Sequence, residues 1–341
     1  MTADDLLAGV LAGRTADLAR AISVAENARP GFERLLAGVH PHLGRARRIG
    51  ITGPPGAGKS TLTERLVTAY RAAGLSVGVV AVDPTSPFTG GALLGDRIRM
   101  ESVALDPGVF IRSTASRGSL GGLATTTREI TDLLDAAGFA RILVETVGVG
   151  QSELDVARMA DSTVLVLVPE SGDGIQTLKS GLMEAADLYV VNKADRPGAE
   201  KLRQELEVTL GIRRGNAYRH VPAHHGALAS QREGRAGPAG WEPPVLLTTA
   251  SRGEGVPELV AALDRHHDWL AASGELERRR RERLAARTRE VVDRAARRWI
   301  WQETRAERIL GERLDEVVEG RLSPYELAAE ILDGLREGER V

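Results

Sequence analysis

The chain has 341 residues, 42% of them apolar and 27% charged, with a net charge of −2 at pH 7 and no cysteine. That is the profile of a globular protein large enough for one big domain with additions, or for two. The near-neutral balance excludes a global field that would draw the chain to nucleic acid or a membrane, and the lack of cysteine excludes disulfides, thiolate metal sites and cysteine nucleophiles.

Residues 1–45 space Leu6, Leu7, Val10, Leu11, Leu18 and Ile22 as short helices, an N-terminal helical extension. From Arg48 the texture changes. Strands are predicted at IGIT (49–52), VGVVAV (77–82), RILV (141–144, closing on Glu145), TVLVLV (163–168), LYVV (188–191) and VLLT (245–248), with helical stretches between them. Continuous rather than alternating apolar runs imply a mostly parallel sheet covered on both faces, so an α/β domain is expected over 46–270. REGRAGPAGWEPP (232–244) is a Gly/Pro-rich loop. Residues 271–341 form an Arg-rich helical region. Its RRRR run (278–281), interleaved with Glu275, Glu277 and Glu282, reads as a solvated helix face. SPYE (323–326) predicts a capping box opening the last helix.

The longest apolar run, VLVLV at 164–168, is far short of the roughly 20 residues a transmembrane helix needs. The acidic start MTADDLLAGV fits neither a signal nor a transit peptide. A cytoplasmic protein with no nucleic-acid or membrane partner is expected.

GPPGAGKS (53–60) matches the phosphate-loop pattern and lies where that pattern must, after a strand and before a helix. Gly53, Pro54, Pro55, Gly56, Ala57 and Gly58 would cradle phosphates with backbone N–H groups. Lys59 would reach the β/γ oxygens, Ser60 would ligate Mg²⁺, and Thr61 follows in the helix start. Lys and Arg total 45, but the lysines are Lys59, Lys179, Lys193 and Lys201 alone. A retained lysine therefore marks a place where a compact ammonium or a flexible stem matters.

NKAD (192–195) closes another apolar strand. There Asp195 could accept hydrogen bonds from a guanine's ring N–H and exocyclic amine, which adenine does not offer, with Asn192 and Lys193 completing the motif. At the end of the following strand, Thr249, Ala250 and Ser251 place backbone N–H groups where a guanine carbonyl could be met. GTP and GDP are thus the expected nucleotides. In a phosphate-loop protein, an acid ending a neighbouring strand holds Mg²⁺ or its water, and a glycine shortly after it senses the γ-phosphate; here those are Glu145 and Gly148. With Asp83 and Asp96 the chain has too many acids for one buried ion pair, so a Mg²⁺ site shared by Ser60, Asp83, Asp96 and Glu145 is expected. Gln151 is the nearest candidate for orienting the attacking water.

Together GITGPPGAGKST, VAVDPTSPFTGGALLGDRIRM, ETVGVGQSE and VVNKAD resemble, in order, the phosphate loop, first switch, second switch and base-recognition strand of the MeaB/ArgK family of GTPases. The resemblance implies a slow GTPase that docks on an adenosylcobalamin-dependent acyl-CoA mutase, gates its cofactor loading and protects it. It also implies a homodimer built through the C-terminal helices, and a third switch over 171–187 whose Lys179 would carry the nucleotide signal to the mutase. Two other readings exist. Nickel-inserting GTPases share the architecture, but they are expected to carry cysteine at the metal site, and the histidines here read as surface or loop residues. A kinase linked to amino-acid transport would need a dedicated catalytic base, and no H-R-D loop is visible.

Overall fold

A computed structural model describes residues 2–83, 100–115, 122–146, 152–170, 180–213 and 240–336. They divide into two compact units, Met1–Arg280 and Arg281–Val341.

The first unit is built on a sheet of seven described strands: β1 (Arg47–Thr52), β2 (Val77–Asp83), β3 (Val109–Ala115), β4 (Arg141–Thr146), β5 (Ser162–Leu167), β6 (Leu188–Asn192) and β7 (Val245–Thr248), in the order β3-β2-β4-β1-β5-β6-β7. Every described pairing is parallel. Alternate residues of each apolar run go to opposite faces, which is why the runs are continuous. Val164 and Val166 join Ile49, Ile51 and Leu143 on one face, under α4 (Lys59–Ala72) and α10 (Val256–Ala272). Leu165 and Leu167 face the other way, with Tyr189 and Val191, under α8 (Ser180–Ala185) and α9 (Ala199–Arg213).

That second face continues across the sheet under α6 (Gly122–Ala136), α7 (Ser152–Met159) and the N-terminal helices α1 (Ala3–Leu11), α2 (Thr15–Glu26) and α3 (Phe32–Val39). The Thr2–Asp5 capping box starts α1: Asp5 N–H donates to Thr2 Oγ1 at 3.1 Å and Thr2 N–H to Asp5 Oδ2 at 2.8 Å. The link into β1 is pinned by Asp135, whose carboxylate accepts the N–H groups of Gly44 (2.8 Å), Arg45 (3.1 Å) and Ala46 (2.9 Å). Short α5 (Glu101–Ala104) precedes β3.

At the strand-start edge, helix α11 (Glu275–Arg298) begins with a clamp. Arg279 donates to Asp187 Oδ1 at 3.0 Å, and Arg280 donates to Asp161 Oδ2 at 3.1 Å and to Gly44 O at 2.7 Å. The two aspartates also accept strand N–H groups, from Thr163 (2.9 Å) and Arg48 (3.1 Å). The solvated-face reading of the RRRR run is therefore corrected at Arg279 and Arg280. Their forks are spent on buried carboxylates and backbone carbonyls, because guanidinium is the cation that can satisfy several acceptors at once. The surface reading of the histidines is corrected at His266, which is fully buried and lies 2.7 Å from Ser162 Oγ through Nδ1.

The second unit holds α12 (Ala306–Val318) and α13 (Pro324–Arg336), packed around Ala306, Leu327 and Ile331. The SPYE capping box forms as expected: Glu326 N–H donates to Ser323 Oγ (3.2 Å) and Ser323 N–H to Glu326 Oε2 (2.8 Å). Trp299–Glu303 is a π-helical turn. Among the described residues no helix is long and apolar enough to cross a membrane.

Candidate nucleotide site

Because β1 lies mid-sheet between β4 and β5, its carboxyl end opens at the crevice where ligands bind in open α/β sheets. The loop after it, 53–58, turns through glycines at positive φ (Gly53, Gly56 and Gly58), and at two of them a side chain would also clash. Gly53 has φ 141° and a Cβ there would sit 2.0 Å from Val166 O; Gly58 has φ 84° and a Cβ would sit 2.4 Å from Asn192 Nδ2. Gly58 is also the residue before α4, so the loop runs straight into a helix N-terminus with its positive dipole end and unpaired N–H groups. Lys59, 6% exposed, folds across the loop and donates to Gly53 O (2.8 Å) and Pro54 O (2.9 Å).

Glu145 pairs in register with Ile51 on one side and Ala81 on the other. It is 6% exposed and accepts a 2.5 Å hydrogen bond from Ser60 Oγ. The strand runs one residue further than expected, to Thr146, whose hydroxyl donates to Thr52 Oγ1 at 3.2 Å. An acid is buried here because a hydroxyl at the start of α4 meets it. Asp83 closes β2, the next strand outward. Asp96, Gly148, Gln151 and Lys179 lie outside the described residues.

On the other side, β6 delivers Asn192 against the phosphate loop. Its Nδ2 donates to Ala57 O (2.8 Å), while its Oδ1 accepts from Thr248 Oγ1 and Ala250 N–H (3.1 Å each). One buried amide thus ties loop, β6 and β7 together. Lys193 then takes a left-handed φ of 57°, costly for a side chain with a Cβ and typical of residues held at functional sites. Asp195 follows, half-exposed, with the Arg252 guanidinium 3.9 Å away. At that distance and exposure the ion pair contributes little, which leaves the carboxylate available to a ligand. Arg65 on α4 donates to Ala250 O (3.0 Å) and Ser251 O (2.8 Å). Its contribution was not visible in sequence, where it is one arginine among many.

The structure thus gathers Gly53–Thr61, Glu145, Asn192–Asp195 and Thr249–Ser251 at the carboxyl end of one parallel sheet. Fold and site together define a P-loop GTPase. The chain belongs to the MeaB family: the family model described as "Methylmalonyl Co-A mutase-associated GTPase MeaB" matches residues 18–305. It is 45% identical over 289 residues to a putative GTPase of Pyrococcus abyssi, covering 85% of this chain and 83% of that one. It is 40% identical over 337 residues to a probable GTPase of Mycobacterium tuberculosis, covering 97% and 95%. Among solved structures it resembles one titled "Crystal structure of LAO/AO transport system kinase", with a TM-score of 0.67, 28% identity and coverage of 98% and 97%.

Proposed function

We propose that this GTPase is a magnesium-dependent chaperone of an adenosylcobalamin-dependent acyl-CoA mutase, working as a homodimer in the cytoplasm. The observation that carries the reading is the joining of phosphate loop, Glu145 and NKAD strand at one site, in a chain whose family model is named for association with methylmalonyl-CoA mutase. The apolar positions Val292 and Trp299, 58% and 46% exposed, lie on the helical region 271–341 through which we expect a second copy to bind.

The proposed roles of the described residues are drawn from their places, and those of Asp96, Gly148, Gln151 and Lys179 from the sequence alone. Backbone N–H groups of 53–58 and the N-terminus of α4 hold the phosphates, and Lys59 exchanges its carbonyl partners for β/γ oxygens. Asp195 accepts the guanine ring N–H and amine, and a backbone N–H of the Thr249–Ser251 turn donates to the base carbonyl. Ser60 and Glu145 present hard oxygen ligands 2.5 Å apart, a donor set that suits Mg²⁺, with Asp83 and Asp96 completing it. The cation supplies charge neutralisation for the leaving diphosphate. Gly148 reads the γ-phosphate, Gln151 orients water, and Lys179 relays the nucleotide state to the mutase.

The test is a pull-down from cell extract with the full chain loaded with non-hydrolysable GTP, followed by single-turnover hydrolysis with and without the captured mutase. Capture of the mutase and a faster turnover support the chaperone reading. No capture, and a rate that purified acyl-CoA mutases leave unchanged, would refute it.

A further inference from the structure

We propose that Arg65 is a positioning residue for guanine recognition, setting the Ser251 amide where it meets the base carbonyl. This rests on the reading of the Thr249–Ser251 turn as a base reader. The turn's amides are otherwise committed. Thr249 N–H donates to Glu254 O, Ala250 N–H to Asn192 Oδ1, Arg252 N–H to Thr249 O and Gly253 N–H to Ala250 O. No acceptor for Ser251 N–H lies among the described residues. Of the amides sequence alone would nominate, the structure leaves this one available to a ligand.

What aims it is the fork of Arg65. Nε and Nη2 hold the two successive carbonyls, Ala250 O at 3.0 Å and Ser251 O at 2.8 Å, and so fix the peptide plane that carries Ser251 N–H and the one after it. A planar guanidinium can bridge two acceptors in one geometry, whereas an ammonium reaches them as a point charge. The base of the fork is rigid. Arg65 lies six residues beyond Lys59, about 9 Å along the helix, and its neighbours on α4, Leu62 and Leu66, are fully buried, which fixes the helix's rotation. The helix whose N-terminus receives phosphates thereby also holds the turn that reads the base, so phosphate and base subsites share one rigid ruler.

The test uses calorimetric titration of the full chain with GDP, IDP and ADP. IDP keeps the guanine carbonyl and ring N–H but lacks the amine; ADP carries an amine where the carbonyl should be. Arg65→Ala should weaken GDP and IDP equally, by about tenfold, the loss of one well-aimed hydrogen bond to a carbonyl. ADP should stay within about twofold of the parent. Arg65→Lys should fall between, and carries the test if Arg65→Ala does not fold. Weakening of all three nucleotides by one factor would make Arg65 a general brace for α4 and overturn the proposal, as would unchanged affinities. A parent protein that binds ADP as well as GDP would instead overturn the base-reading assignment of the turn.

Discussion

Ser60 Oγ donates to Glu145 Oε1 at 2.5 Å, joining the first turn of α4 to the end of the neighbouring strand β4. A strand that has just crossed the core carries an acid one residue before its end because this hydroxyl meets it there, where we propose that the two share a cation. Glu145→Gln keeps the shape and removes the charge. It should lower the hydrolysis rate at least tenfold at limiting Mg²⁺ and raise the Mg²⁺ needed for half-maximal rate, while GDP affinity without Mg²⁺ stays within a few-fold. A Mg²⁺ titration identical to the parent's would remove Glu145 from the metal site.

Asn192 joins three backbone or side-chain partners from three elements. Asn192→Ala should cost about 2–3 kcal/mol in urea unfolding, since buried polar groups lose their partner, and should weaken GDP as well. Gly58→Ala should do comparable harm to binding by another route, because its Cβ would be driven 2.4 Å from Asn192 Nδ2 at a left-handed φ. If both variants bind GDP like the parent, the tie between loop and NKAD strand is dispensable.

Much of this site was legible in the sequence because its parts are local motifs at strand ends. The glycine pattern, the NKAD tetrapeptide and the acid after RILV each state their chemistry within a few residues. What was not legible depends on distant partners. β3 went unread because VFIRSTA mixes apolar and polar residues, as an edge strand does when fewer neighbours cover it. The solvated reading of Arg279 and Arg280, and the surface reading of His266, failed for the same reason. Their partners Asp161, Asp187 and Ser162 are 92 to 119 residues away in the chain.

His266 carries a pH signature. Burial pushes its pKa from 6.5 down to about 4, against the pull of Asp187 and Asp161 and with the help of Arg279 and His267. Above pH 6.5 folded and unfolded chains both hold a neutral ring. Below it the unfolded chain takes up a proton that the folded one refuses, so stability falls as pH drops from about 6.5 to about 4, by up to about 3 kcal/mol. His267, lowered the same way by burial, adds to that slope. Urea titrations at pH 7.5 and 5 should show the loss in the parent and a flatter dependence in His266→Phe. An unchanged slope would show that His266 titrates freely.

For assembly, Val292→Asp and Trp299→Asp in the full chain place charge on the half-exposed apolar positions of the Arg-rich region. Light scattering should report a dimer for the parent and a monomer for the double variant, with GDP affinity retained. A variant that remains dimeric would move the interface elsewhere.

The most direct measurement is of nucleotide preference in Asp195→Asn. An asparagine amide donates where the carboxylate accepted, so it should lose guanine's ring N–H and favour the extra carbonyl of xanthine. Titration with GDP and XDP should show the parent at least about a hundredfold tighter for GDP and the variant with that order reversed. A variant that still prefers GDP as strongly as the parent would show that Asp195 does not read the base, and that the NKAD strand is not the guanine site.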